Sequence, residues 1–355
     1  MTQKNNGHVD QSKNQEIIGV KPPINERPKK GPIGLDVGTA NIVVAQSNGN
    51  GNVNTVSEIN AFFTVPTLPT TRKILEKKDI MFFEIGEYLY ILGNSAQNFA
   101  NILGSSTKRP IENGLLNLKE NEGISVIKSL LNKLIKQSEQ KGTKVIFSIP
   151  GDPIDSDESV VSNETIFKTH LQSLGYTPEP INEGLAVILS ELSDDSATGI
   201  GISMGGGMCN ICLSYLSIPV LTYSIQKGGD YIDKMVGNSV GEPATKIKSI
   251  KEEDFDLTRE PKNSIETGLH IYYDALFSIL IKSLHQTLKT SDEVPRLPHA
   301  IPIILSGGTV LPKGCKEKFE KGFRDIQLPL TISDIVIAKD PLTATAKGAL
   351  TMALS

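Results

Sequence analysis

Tryptophan is absent from this 355-residue chain, and cysteine occurs three times. Three thiols cannot staple a fold of this length, so a disulfide scaffold is excluded and a reducing, cytoplasmic setting is expected. No apolar run approaches the roughly eighteen residues that a membrane-spanning helix needs. The N-terminus carries no apolar stretch of the kind a secretory leader requires. Excess positive charge is missing too. Lys and Arg total 36 against 40 Asp and Glu, a net charge of −4, so no basic field is available to a nucleic-acid backbone. The five histidines show no H-x-H or H-E-x-x-H spacing. His170, His270 and His285 fall on predicted helices and read as surface or satisfied residues, not ligands. Cys209 and Cys212 make a C-x-x-C on a predicted strand, where residues three apart point to opposite faces. With no second pair, they read as buried small residues rather than a metal site.

What remains is ordinary globular composition: 38% apolar, 21% charged, 31 Gly and 20 Pro. The length suggests two or three domains. Residues 1–31 are rich in Asn, Gln, Lys and Pro, and Ile17, Ile18 and Val20 are their one apolar cluster. They are expected to be a disordered tail through which a protein partner could be recruited, with an anchor or peptide motif around Ile17–Val20 as the sharper reading. From Ile33 onward strands and helices intermingle, which makes the class α/β. Strands are predicted at 33–37, 42–45, 88–92, 144–149, 199–204, 210–216, 220–226 and 301–305. Helices are predicted at 125–137, 157–174, 182–193, 230–240, 244–251, 264–287, 313–323 and 343–353. Phe62 and Phe63 read as part of a strand in a small subdomain; a membrane-touching loop is the other reading, without a basic amphipathic helix to support it.

The most informative pattern occurs twice. Ile33–Val44 reads IGLDVGTANIVV and Ile200–Leu213 reads IGISMGGGMCNICL. Each is an apolar strand, a glycine-centred turn and a second apolar strand. Glycine lets backbone approach a ligand closely, and successive N–H groups in such turns form an anion-binding concavity. Either turn alone is weak evidence, since an ordinary hairpin looks the same; two facing hairpins would grip one polyphosphate from both sides. Ile301–Thr309 (IPIILSGGT) and Gly228–Asp233 (GGDYID) add two further Gly-Gly elements ahead of helices.

These elements, in this order, resemble the sugar kinase, heat-shock chaperone and actin superfamily, and within it the MreB-like bacterial actins. GLDVGTAN at 34–41 resembles the first phosphate loop, and RPIENGLL at 109–116 an acid-Gly segment. INEGLAVIL at 181–189 resembles the interdomain helix, with Gly184 where the family has Pro. SGGTVLPKG at 306–314 resembles the adenosine motif, and DPLTATAKGAL at 340–350 the C-terminal signature. The resemblance covers about residues 32–355. It implies a two-lobed actin-like ATPase fold, with related ribonuclease-H-like cores around a central cleft for ATP and Mg2+. The lobes would be 32–181 with 340–355, and 182–339.

By the same resemblance, Asp36 would hold the hydrated metal. Gly38, Thr39 and Asn41 would contact the phosphates, and Ser203, Gly205, Gly206 and Gly207 would face them from the other lobe. Gly228, Gly229, Lys248, Gly307 and Gly308 would surround the nucleoside. Glu183 belongs to the catalytic set, and Asp157 or Glu158 would orient or deprotonate water. Acids in the first turn of a helix are equally expected on electrostatic grounds.

Two departures matter. Ser203 stands where the family has Asp, and a neutral hydroxyl is a poorer ligand for a hard cation. Met208 and Cys209 also replace threonines. In addition, only residues 252–263 separate the adenine-side helix from the long helix, so a β-rich subdomain is trimmed. The expectation is an ATP-dependent, self-associating cytoskeletal filament protein with slow hydrolysis. The alternative is a nucleotide-dependent switch or scaffold that does not polymerise. A chaperone lacks a substrate-binding domain in this sequence, and a small-molecule kinase using Asp155 or Asp157 fits the motifs less well.

Overall fold

The computed structural model describes residues 31–49, 51–117, 120, 122–157, 159–192, 197–292, 294–295, 297–323 and 326–355. The tail expected over 1–31 lies almost wholly outside the described residues, as does Glu158.

β1 (Ile33–Val37), β2 (Asn41–Ser47) and β3 (Val53–Ile59) form an antiparallel meander. β4 (Phe62–Pro66), α1 (Pro69–Lys77), β5 (Phe82–Ile85), β6 (Tyr88–Leu92) and α2 (Gly93–Ile102) follow. Then come the short hairpin β7 (Ile111–Glu112) and β8 (Leu115–Leu116), α3 (Gly123–Ile135), β9 (Thr143–Ile149), α4 (Val161–Ser173), β10 (Tyr176–Asn182) and α5 (Glu183–Glu191). A second meander is built from β11 (Gly199–Met204), β12 (Cys209–Tyr215) and β13 (Ile218–Ile225). The chain continues through α6 (Gly229–Val240), α7 (Ala244–Glu253), α8 (Ser264–Thr290), β14 (Ile301–Ser306), α9 (Cys315–Phe323), β15 (Ile332–Ile337) and α10 (Ala344–Leu354).

Residues Phe62–Lys108 form a compact unit of their own. Its sheet has the order β4-β6-β5, and Leu75, Phe82, Leu89, Ile91 and Ala96 fill its core. Phe62 is buried on β4, and Phe83 stacks on Tyr90 at 5.0 Å.

The other unit holds two five-stranded sheets with one topology. The first runs β10-β9-β1-β2-β3, and the second, read in the same sense, β15-β14-β11-β12-β13. In each, a three-stranded antiparallel meander is extended by two parallel strands beside its first strand. Parallel strands need crossover helices, and those helices cover the faces. α3 packs on β2 and β3, and α4 on β9 and β10. α6, α7, α8 and α9 share a core with the second sheet built on Ile202, Ile211, Tyr273, Phe277 and Phe319.

The inner faces of both sheets share one core with α5 and α10, which includes Ile146 and Ile181 from one sheet and Cys212 and Ile304 from the other. Cys209 lies in the outer core instead. The C-x-x-C thus straddles the sheet, as alternation requires, and no cluster of metal-ligating side chains occurs among the described residues.

The central helix pair is close because its contacts are small. A Cβ on Gly348 of α10 would run into the carbonyl of Ala186 on α5; one on Gly34 of β1 would hit α10 at Ala346, and one on Gly201 of β11 would hit α5 at Gly184. Gly348→Ala is therefore expected to destabilise the chain by about 3 kcal/mol, because backbone rather than a flexible side chain must yield. A fall in melting temperature of roughly 5–10 °C checks this; an unchanged melting temperature would show that the helices slide apart at little cost.

Elsewhere, elements depart from the sequence pattern for visible reasons. The helix expected from residue 157 begins only at Val161. The segment before it is tied to β13 instead, with Ile154 N–H donating to Ser224 O at 3.0 Å and Ser224 N–H to Asp152 O at 2.9 Å. The long helix is capped by Asn263, whose side chain accepts from Glu266 N–H at 2.9 Å, and it runs on to Thr290. Residues 254–263, which join α7 to α8, contain no strand.

Candidate functional site

The two hairpins carry the same turn. Val37 pairs with Ile42, and Met204 with Cys209. In the first, Gly38 N–H donates to Asn41 O at 2.9 Å; in the second, Gly205 N–H donates to Met208 O at 3.0 Å. Position 36 on β1 therefore corresponds to position 203 on β11, so Ser203 stands where the first half has Asp36.

Two carbonyls of each turn are committed to hydrogen bonds outside it. Asn60 donates its side-chain amide to Gly38 O at 2.8 Å and its backbone N–H to Ala40 O at 2.9 Å. In the second turn, Gly205 O accepts from Gly229 N–H and from Thr309 Oγ1, and Gly206 O accepts from Asp230 N–H. No cis peptide occurs among the described residues. A trans peptide points its N–H opposite to its C=O, so the N–H groups of Thr39, Gly206 and Gly207 face the other way. Backbone N–H groups in such turns can bind an anion. The two turns also meet: a Cβ on Gly206 would lie 3.4 Å from Ala40 Cβ, and one on Gly207 would lie 2.6 Å from Gly114 N and collide with Thr39. Thr39 Oγ1 accepts from Gly114 N–H at 3.0 Å. Gly114 follows Asn113 at the tip of the β7–β8 hairpin, both with positive φ, the signature of a tight Asn-Gly turn.

Behind the turns lie two carboxylates. Asp36 on β1 accepts from Ser148 Oγ at 2.7 Å. Glu183 opens α5, whose N-cap is Asn182, and it accepts from Ser203 Oγ at 3.2 Å and Asn210 Nδ2 at 2.9 Å. Both acids are half-buried. Loss of solvent pushes Asp36 up to about 6. It pushes Glu183 up to about 8, with the Asp36 charge adding to the effect. Two neighbouring carboxylates whose bonds go to hydroxyls and an amide suit a hard dication with oxygen ligands. The donor set thus fits Mg2+.

On the far side of the second turn, Gly228 and Gly229 lead into α6. A Cβ on Gly228 would lie 2.5 Å from Gly205 O. Lys251 donates to Gly229 O at 2.9 Å and pairs with Asp233 at 2.7 Å, both side chains buried. Gly307 has φ +92 and donates to Pro341 O, and Gly308 lies beside Leu342.

The structure thus brings together Asp36, Gly38, Thr39, Glu183, Ser203, Gly205, Gly206, Gly207, Gly228 and Gly229. Gly307 and Gly308 join them through Thr309, and Asn41 closes the first turn with its carbonyl. Lys248 does not join. It extends along α7 towards Glu252 at 3.8 Å, and Lys251, one turn on, is the lysine that reaches the Gly228–Gly229 turn. Asp157 is exposed in a bend before α4. Asp155 is committed to the second sheet, accepting from Gln226 N–H at 2.9 Å and Lys227 Nζ at 2.7 Å. Sequence pattern alone misses Asn60, Ser148 and Asn210, polar residues inside or beside apolar strands whose burial was the available signal.

The profile of one protein family, described as Volactin, matches residues 32–353. This chain belongs to the Volactin family. A curated relative, the actin-like protein MamK of Paramagnetospirillum magneticum, is 20% identical over 350 residues, covering 90% of this chain and 91% of MamK. Among solved structures, a MamK double helical filament matches with a TM-score of 0.69 at 18% identity, over 91% of this chain and 98% of that one. MreB 5 of Spiroplasma citri bound to AMPPNP matches with a TM-score of 0.63 at 16% identity, over 90% and 95%. The fold of this chain is therefore the actin-like ATPase fold. None of its helices, among the described residues, is long and apolar enough to cross a membrane.

Proposed function

We propose that this chain binds Mg2+ and ATP at its two glycine turns and assembles into cytoskeletal filaments. The observation that carries the reading is the pair of matched, touching turns with Asp36 and Glu183 behind them. The likeness to proteins seen as a filament and with AMPPNP bound supports it. The lobes would be 32–181 with 340–355, and 182–339, each built on one of the two sheets. Asp36 would hold the cation. Gly38, Thr39, Asn41 and Gly205–Gly207 would hold phosphates through backbone N–H groups. Gly228, Gly229, Gly307 and Gly308 would line the nucleoside side, with Lys251 rather than Lys248 shaping it. Mg2+ would supply charge for the phosphates; the chain's own part is to fix them and hold water near Glu183.

High-speed pelleting with Mg-ATP, Mg-ADP or no nucleotide, with phosphate assayed in the same tubes, tests this. Pelleting with Mg-ATP is expected, accompanied by slow phosphate release. A protein that stays in the supernatant at every concentration and nucleotide would overturn the filament reading.

Ser203 and the strandless connection 254–263 favour a second reading, in which nucleotide closes the lobes around a partner without polymerisation. Nucleotide-dependent protection from protease without pelleting would support it.

A further inference from the structure

Arg109 belongs to the RPIENGLL segment and has no part in the nucleotide contacts proposed for the two turns. Its Nη1 donates to Asp230 Oδ2 at 2.5 Å. Asp230 is the second residue of α6, and its own N–H is bound to Gly206 O. The Asp230 carboxylate also overhangs the second turn: its Oδ2 would lie 3.3 Å from a Cβ on Gly206. Five residues after Arg109, Gly114 touches both turns, through Thr39 and against Gly207. The arginine is thus anchored beside the seam of the site, and its ion pair spans that seam from the segment before β7 to α6.

The pair is not a core structural element. Its side chains are 25% and 36% exposed, and such pairs contribute little to stability. A guanidinium presents five N–H donors in a planar fork suited to phosphate, and only Nη1 is engaged by Asp230. Asp230 lies in the first turn of α6, where the helix N-terminus stabilises a carboxylate without a cation. The arginine can therefore leave without stranding its partner.

We propose that Arg109 senses the terminal phosphate of a nucleoside triphosphate, exchanging the Asp230 carboxylate for it. Asp230 holds Arg109 back when the site carries a diphosphate or no nucleotide. This rests on the nucleotide reading of the site. It predicts opposite signs for the two partners, which a structural ion pair does not.

The test is the dissociation constant of Mg-AMPPNP and of Mg-ADP, measured on the full chain for wild type, Arg109→Ala, Arg109→Lys and Asp230→Asn, each checked by melting. Arg109→Ala should weaken AMPPNP binding about tenfold or more while ADP stays within about twofold. Arg109→Lys should show a smaller loss of the same kind, and this carries the test if the alanine variant fails to fold. Asp230→Asn should tighten AMPPNP binding and leave ADP unchanged. Equal weakening of both nucleotides by both replacements, or no change in any variant, would overturn the sensor while leaving the nucleotide site intact. A wild-type chain that binds neither nucleotide would overturn the site reading and the sensor together.

Discussion

Glu183→Gln is expected to make the nucleotide-free protein more stable, and by more at pH 8 than at pH 5. Loss of solvent and the Asp36 charge push Glu183 up to about 8, and loss of solvent pushes Asp36 up to about 6. Both values lie above those of an unfolded chain, so the folded state holds protons that the unfolded state has released. Stability therefore falls as pH rises from about 4 to about 8, and levels off above that. A tenfold change in a proton's affinity corresponds to about 1.4 kcal/mol. Allowing for the partial exposure of these acids, the penalty at pH 8 is on the order of 2–3 kcal/mol. Glutamine keeps the shape and still accepts from Ser203 and Asn210 through its carbonyl oxygen, so it removes the charge and little else. Melting curves at pH 5, 6.5 and 8 should show a declining wild-type series and a flatter variant. A wild-type melting temperature that rises across this range would contradict the assignment of a strained, charged pair.

The same variant should lose what the charge is for. A ligand present at 100 times its dissociation constant stabilises by about 2.7 kcal/mol. Wild type should show a rise of this size with Mg2+ and nucleotide, and Glu183→Gln most of its loss. A variant gaining stability without ligand while losing it with ligand separates a binding carboxylate from a structural one.

How much of this was readable from the chain follows from where each signal resides. The two turns were legible because only glycine permits their close approaches, at Gly207 against Gly114 and at Gly228 against Gly205. The correspondence of Asp36 with Ser203 follows from the strand pattern itself. Lys251 was not legible. Lys248 and Lys251 are three apart on one amphipathic helix, and only the packing of α6 against α7 decides which is buried beside Asp233. β10 was hidden by Pro178 and Pro180. Two prolines argue against a strand, but β10 is the edge of its sheet and pairs only with β9, where missing donors are tolerated. Arg109 and Asp230 lie 121 residues apart, and no local pattern joins them.

Ser203→Asp should raise phosphate release, at a cost in stability without ligand. The matched registers place residue 203 opposite Asp36 in the duplicated fold, and Ser203 Oγ now donates to Glu183. An aspartate there replaces a donor with a further carboxylate about 3–4 Å from Glu183. Where Glu183 is ionised, from about pH 8 upwards, such a pair unscreened by a cation repels by about 4 kcal/mol at an effective dielectric near 20, so the nucleotide-free variant should melt lower there. With Mg2+ bound, the same charge adds an oxygen ligand of the preferred hard type and a second acceptor for water beside the phosphates. Groups that orient or deprotonate water contribute about 100-fold or more, so phosphate release should rise by at least about tenfold. Ser203→Asn is the control, similar in size but uncharged, and should leave release unchanged. If the two variants behave alike, charge at this position does not set the rate of phosphate release.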